Sequence, residues 1–302
     1  MDRIDTLNAF LTVAQEGSFT KAAEKLGLSN QLVSKYVSEL ERQLGVRLLN
    51  RTTRRVNLTE AGEQGVAFAQ TILESLNDLT DHFAAIEGSI QGRLRVNAPV
   101  SFATLHLSQA LAEFMQHYPE VTVDMQLNDR KVDLIEEGYD VALRIGQLKS
   151  SSLIAKKLAP IQLMLCAAPE YLARVPALTK PEDLLPEDFL MYSYMTLPTS
   201  ENPLLETLRR YAQQKRTQLS CNNGEILMAS AIAGLGYVLQ PTFIVGDAIK
   251  SGDLCPLFEE YAPESLGLYA VFPHRQMLAP KLRVFIDFLS DYFGQQPYWD
   301  NY

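Results

Sequence analysis

Apolar residues recur at helical spacing through the first ninety positions, then give way to short alternating runs separated by further helical stretches. Over 3–15, Ile4, Leu7, Phe10, Leu11 and Ala14 share one face of a predicted helix. In 18–27 (SFTKAAEKLG), Ser18 can cap a short second helix, Ala23 lets another helix cross closely, and Gly27 supplies the turn. Ser29 caps a third helix that places Val33, Val37, Leu40 and Leu44 on one side. Gln31, Ser34, Lys35, Ser38 and Arg42 lie on the other, with no carboxylate in the polar stripe. Alternation from Arg47 to Leu58 predicts a hairpin turning at Thr52-Thr53, with Arg51, Arg54 and Arg55 around its tip. Together these elements predict a winged helix-turn-helix: a polar, basic helix for the major groove and an arginine-tipped wing for phosphates or the minor groove. A surface helix of a bundle, or a solvated cluster of charge, would explain either part alone.

Thr59 is placed to cap a long helix running to about Ile86. Ala69, Ile72, Leu76, Leu79, Phe83 and Ile86 follow in steps of three and four, the spacing of a seam for another helix or for packing within one domain. Residues 88–92 (GSIQG) read as a hinge. Strands then alternate with helices. Strands are predicted at 93–97, 121–127 and 139–145, with helices at 101–117 and, briefly, 131–137. This predicts a βαβαβ unit with a parallel sheet. A second unit has strands at 161–168, 189–193, 217–221 and 236–239, and helices near 203–215 and 224–233. A strand at 266–272 and a helix at 280–293 close the chain.

Length and charge sharpen this division. The 302 residues exceed one ordinary core, and 47% hydrophobic with 21% charged residues is normal globular composition. The net charge of −9 is unevenly spread. Residues 1–60 carry nine Lys/Arg against seven Asp/Glu, and the rest carries eighteen against twenty-nine. A basic head on an acidic body keeps its basic end toward a duplex. The N-terminus opens directly on an amphipathic helix, so no signal peptide is expected. The longest apolar stretch, 226–245, is interrupted by Gly234, Gly236, Gln240 and Pro241, so no membrane span is expected. Three Cys without CxxC spacing predict reduced thiols in the cytoplasm.

The first sixty residues resemble the N-terminal domain of LysR-type transcriptional regulators. The match is carried by Phe10, Gly17, Ser18, Phe19, Ala22, Ala23, Leu26, Ser29, Val33, Ser34, Leu40, Glu41, Leu44, Gly45, Leu48, Arg51, Leu58, Thr59 and Gly62. Asn30 and Gln31 stand where many members have Gln and Pro, so no operator sequence can be borrowed. The rest of the chain resembles the family's ligand-binding domain more loosely. The resemblance implies an α/β protein with a winged helix-turn-helix (1–59), a linker and dimerisation helix (60–88), a hinge (89–92), and a two-lobed effector domain (93–302) like that of periplasmic binding proteins. Lobe I would comprise 93–161 and 267–302, and lobe II 162–266. It also implies a homodimer through the linker helix, a homotetramer beyond it, an imperfect palindrome of double-stranded DNA as target, and RNA polymerase as a candidate partner. Effector capture would alter the spacing of paired dimers and the bend of the DNA. Ser29, Asn30, Gln31, Ser34, Lys35 and Ser38 are then candidate base-reading or helix-start residues, and Arg42, Arg51, Thr52, Arg54 and Arg55 candidate backbone or minor-groove contacts.

Small molecules bind α/β sheets beyond the carboxyl ends of strands, where helix N-termini offer N–H groups and partial positive charge. Ser101 begins a helix after strand 93–97, and Asn223 begins one after 217–221, so both can face such a cleft and favour a carboxylate. Simple capping explains either residue equally. Asn128 ends a strand and Arg144 lies near another strand end, where a salt bridge is an equal alternative. Thr196 falls in a loop the family uses for ligand.

Enzymatic readings find little support. His82, His106, His117 and His274 lack metal-ligand spacing, and neither a metal nor another cofactor is expected. Ser18-Phe19-Thr20-Lys21 has the S-x-x-K form without its partner motifs. Gly234-Leu235-Gly236 follows a helix and precedes a strand, the reverse of a phosphate loop. A thiol-based redox regulator is a rival within the same architecture, through Cys166, Cys221 or Cys255, but no basic surroundings single out any of them. A solute-binding or enzymatic α/β body would leave the head without a purpose.

Overall fold

The computed structural model describes the chain except residues 1, 52–55, 87–88, 131, 136, 148–152, 198–199, 215–216 and 274–277; at 51, 74, 77, 78, 81, 82 and 84–86 it describes the backbone alone. The chain divides into two compact units, residues 1–92 with 133–138, and residues 93–132 with 139–302.

The first unit begins with three helices, α1 (Arg3–Glu16), α2 (Phe19–Leu26) and α3 (Asn30–Leu44). Their starts follow the polar residues expected. Ser18 Oγ accepts from the Lys21 N–H (3.4 Å) and Ser29 Oγ from the Leu32 N–H (3.2 Å). Gly27 takes the left-handed conformation (φ +66°) that ends α2 and turns the chain into α3. The hairpin strands β1 (Leu49–Arg51) and β2 (Val56–Leu58) pair antiparallel, and the predicted tip at Thr52-Thr53 lies outside the described residues. A core of Ala9, Phe10, Val13, Val33, Val37, Leu40, Leu48 and Leu49 holds these elements together. The α1 face is turned from the expected one: Thr6, Ala9, Phe10, Leu11 and Val13 are buried, while Ile4, Leu7 and Ala14 are half-buried. Leu44 is 56% exposed rather than buried, because it is the last residue of α3, beside the left-handed Gly45.

The long helix α4 runs from Glu60 to Ile86. Thr59 Oγ1 accepts from the Gly62 N–H (3.0 Å) and donates to the Arg47 carbonyl (2.7 Å), tying the helix start to the hairpin. Gly62 is required there: a Cβ would lie 2.0 Å from the Leu48 carbonyl oxygen. Ala69, expected in the exposed seam, is 1% exposed and belongs to the head's core.

Among its described residues the second unit contains a five-stranded sheet, a three-stranded sheet and a two-stranded pair. Its first elements are β3 (Gly92–Ala98), α5 (Val100–Phe102), a π-helical turn (Ala103–Leu107), α6 (Ser108–His117), β4 (Val121–Leu127), β5 (Val141–Gly146) and β6 (Ile154–Ile161). Next come β7 (Leu163–Ala167), α7 (Pro169–Leu172), β8 (Met191–Tyr192), α8 (Pro203–Gln214), β9 (Ser220–Cys221) and α9 (Gly224–Ile232). The chain ends with β10 (Tyr237–Pro241), α10 (Thr242–Ser251), β11 (Cys255–Leu257), β12 (Leu266–Phe272) and α11 (Pro280–Phe293). The first sheet has the order β4-β3-β5-β12-β6, so β12 returns to it after the second sheet is complete. The second has the order β10-β7-β11, and β8 pairs with β9.

The first sheet is mixed rather than parallel, and the second is antiparallel. β3 and β5 are parallel, but β12 is antiparallel to β5 and to β6, and β7 is antiparallel to β10 and β11. The strands that cross between the lobes, β6 into β7 and later β12, impose that reversal. β6 escapes pattern reading because it is an edge strand carrying Lys156, Lys157 and Pro160, residues that protect an edge and break alternation. α10 escapes because Thr242, Phe243, Ile244, Val245, Gly246 and Ala248 are all buried, leaving no amphipathic stripe. The short helix expected at 131–137 is turn where described, at 134–135 and 137–138.

Candidate DNA interface and effector cleft

The head presents one polar helix face backed by its core. On α3, Val33, Val37 and Leu40 are buried, whereas Asn30, Gln31, Lys35, Ser38 and Arg42 are exposed and Ser34 is half-buried. Ser29, also exposed, is the α3 cap. Asn30 Nδ2 donates to Thr20 Oγ1 (3.2 Å), linking the start of α3 to α2. Glu41 is a structural group the polar pattern does not reveal: its Oε1 accepts from the N–H groups of Leu48 (2.9 Å) and Leu49 (3.1 Å), fixing the entry to the hairpin.

One expectation for this face is corrected. Arg42 does have a carboxylate beside it: its Nε and NH2 reach the two oxygens of Glu39 at 2.9 and 2.6 Å, and Gln43 Nε2 adds a third bond (2.8 Å). These hydrogen bonds hold the Glu39 carboxyl down to about 2. The i,i+3 spacing brings the pair onto one helix edge, which a wheel drawn for apolar residues overlooks. Arg51 contributes backbone to β1, and its side chain, with Thr52, Arg54 and Arg55, lies outside the described residues.

In the second unit, carboxyl ends of strands gather the predicted ligand residues. The pairing of β3 with β5 and the bond from the Asn128 N–H to the Ala98 carbonyl (3.0 Å) bring Ser101, Asn128 and Arg144 to the first sheet's end. Ser101 is buried but caps nothing. The N-terminal N–H of α5, on Val100, instead donates to Asp129 Oδ1 (3.1 Å). Asn128 Oδ1 is closed from solvent without a hydrogen-bond partner. Arg144 NH1 donates to Asn97 Oδ1 (2.6 Å) and to the Leu143 carbonyl (2.9 Å), which embeds it in the first sheet's polar interior.

On the second sheet, β8 and β9 are parallel and Phe189 bridges Tyr237 in parallel, so Tyr192, Asn223 and the end of β10 share one edge. Burial, then the nearby Asp129 carboxylate of the first lobe, push the Tyr192 hydroxyl upward. Asn223 Oδ1 caps α9 through the Ile226 N–H (2.9 Å). Thr196 is exposed and lines a cavity of about 340 Å³ with Met191, Met195, Leu197 and Arg209. A larger cavity of about 480 Å³ is bordered by His106, Phe243, Glu225, Asp247 and Asp253, a wall whose charge disfavours anions.

Two family models match the chain: "Bacterial regulatory helix-turn-helix protein, lysR family" over residues 4–63 and "LysR substrate binding domain" over residues 87–294. The chain belongs to the LysR family. This LysR-type regulator is 34% identical to the HTH-type transcriptional regulator PtxR of Pseudomonas aeruginosa, over 99% of its own length and 97% of that protein's. It is also 34% identical to the regulator DmlR of Escherichia coli (97% and 95% covered). Among solved structures it is similar to CrgA, a LysR-type transcriptional regulator from Neisseria meningitidis, at 32% identity and TM-score 0.58, with 96% and 98% of the two chains covered.

The regulator is therefore a DNA-binding transcription factor with a substrate-binding domain, and its named relatives are regulators rather than enzymes. Among the described residues no cluster of His, Cys, Asp and Glu is arranged to hold a metal, and no helix is long and apolar enough to cross a membrane. Of its thiols, Cys166 is buried and its pKa is pushed up to about 12 by burial, which keeps it protonated and unreactive. His106 is buried between Tyr298 OH (Nδ1, 2.8 Å) and the Phe243 carbonyl (Nε2, 2.9 Å).

Proposed function

We propose that the regulator binds an imperfect palindrome as a homodimer and that a small carboxylate held between its two lobes modulates that binding. The observation that carries the effector half is the gathering of predicted ligand residues at strand ends of both sheets, with the Asp129 carboxylate of one lobe close enough to act on the Tyr192 hydroxyl of the other. A ligand between such ends competes with or reinforces that electrostatic coupling, and so biases how the lobes close. N–H groups in the first turn of α9 suit an oxyanion, and the buried Ser101 hydroxyl at the first sheet's end is a further candidate donor.

The dimer half rests on α4. Phe68, Ile72, Leu79 and Phe83 are 71, 51, 51 and 60% exposed, and Leu76 is 37% exposed, which is costly for a lone helix in water and typical of one awaiting a partner. Two heads in fixed spacing give the specificity that one short recognition helix lacks. Pairing of dimers into a tetramer, contact with RNA polymerase and a cytoplasmic setting complete the proposal. The buried state of Cys166 disfavours the thiol-switch alternative at that residue, which leaves the half-buried Cys221 and Cys255 as its carriers.

The test is a melting and footprinting screen of full-length protein with simple carboxylates. A carboxylate that raises the melting temperature and alters the footprint supports the reading; no response to any of them opposes it.

A further inference from the structure

We infer that Gln240 is a specificity residue of the effector site, its side-chain amide donating to the oxyanion held at the N-terminus of α9. The inference rests on the effector reading above but on a different observation. Gln240 is 2% exposed at the carboxyl end of β10, and its Nε2 is closed from solvent with no hydrogen-bond partner. Buried amide donors are almost always satisfied, so one left open marks a place where a partner arrives.

The position of the amide says which partner. A Cβ built on Gly224, the first residue of α9, would lie 2.8 Å from Gln240 Oε1 and 2.5 Å from Ile244 Cδ1. The amide head therefore rests against the first turn of that helix, in the space glycine leaves. Asn223 already satisfies the Ile226 N–H, so the N–H groups of Gly224 and Glu225 remain for a ligand. Oε1 lies against the first residue of the helix, at its positive end. Rotation about the last side-chain torsion is soft and exchanges oxygen for nitrogen. With a carboxylate seated at the turn, Nε2 swings to meet it, and the buried donor gains the acceptor it lacks. The ligand class is thus an anion with a planar oxygen pair able to span backbone N–H groups and one side-chain amide.

The test uses full-length wild type, Gln240→Leu and Gln240→Glu, with acetate, lactate, succinate and benzoate as probes and chloride at equal ionic strength as control. Calorimetric affinity and melting shift are read for each. Gln240→Leu should weaken the responding carboxylate about ten- to a hundredfold, the worth of one hydrogen bond to a charged group. Its own melting temperature should equal or exceed that of wild type, since an unmet buried donor has gone. Gln240→Glu should abolish the response by placing a second negative charge at the turn. Equal carboxylate affinity in wild type and Gln240→Leu would overturn the inference while leaving the effector reading standing. Absence of any wild-type response would overturn both.

Discussion

Arg42 is locked to Glu39 through two parallel hydrogen bonds on the exposed edge of α3. Arg42 is the chain's own counter-ion carrier at that edge, so reaching a phosphate means exchanging one carboxylate for another anion. Gln in place of Glu39 should release the guanidinium and remove a repelling charge. The expected result is several-fold tighter binding to any duplex, with the salt slope of log Kd steeper by about 0.9 if Arg42 takes one phosphate. An unchanged slope would assign Arg42 to the helix alone. Because Glu39 titrates at about 2, below its unfolded value of 4.5, the pair is present above that unfolded value and lost only as pH falls toward about 2. Affinity for DNA should therefore show no gain from this carboxyl between neutral pH and pH 5.

Lys35 is an exposed long cation on α3, on the side away from the buried Val33, Val37 and Leu40. Lys35→Ala should cost about 1–3 kcal/mol at a cognate site and far less on random duplex if it reads a base. Equal loss on both, by fluorescence anisotropy, would make it a phosphate contact.

The seam on α4 predicts an assembly defect. Each Phe or Leu buried in a helix pair contributes about 1.5–3 kcal/mol, counted twice across a two-fold axis. Phe83→Glu and Leu79→Glu should shift sedimentation toward monomer and weaken operator binding, with the helical content of the heads retained. A dimer that survives both changes would place the interface elsewhere.

His106 gives stability a pH dependence of known sign. Nε2 carries the proton, since it faces the Phe243 carbonyl, and Nδ1 accepts from Tyr298. Burial lowers the imidazole below its ordinary 6.5, against smaller raising effects of the Phe243 carbonyl bond and Asp247. The unfolded chain therefore takes up the proton first as pH falls through 6.5, and stability from the neutral ring is complete above 6.5 and declines below it. Wild type should lose more melting temperature than His106→Gln between about pH 7.5 and 5.5. Parallel curves would contradict this.

The head was largely legible because each local signal agreed with the next: Ser18 and Ser29 cap, Gly27 turns, and Val33, Val37 and Leu40 bury. Legibility failed where tertiary structure overrides local pattern. Ala69 continues the spacing of the α4 seam, yet packs under the head, because the hairpin reaches the first turns of that helix. In the effector domain, β6 was hidden by its edge residues and α10 by its unbroken buried run from Thr242 to Gly246. Asn223 caps its helix as local chemistry predicts, while Ser101 leaves that role to Asp129, which accepts from Val100, 29 residues away in sequence, and is brought near through β3–β4 pairing. Gln240 read only as an interruption of an apolar run, since nothing in the sequence shows that its amide ends against Gly224.

The central claim, that the polar face of α3 reads bases in a paired arrangement, is tested most directly by selecting bound duplexes from a random library with full-length protein. Wild type should enrich an interrupted palindrome, and the Gln31→Ala/Lys35→Ala double variant should lose the preference at specific base positions in both half-sites while keeping salt-dependent binding. Enrichment of the same sequence by both proteins, or of none by wild type, would contradict it.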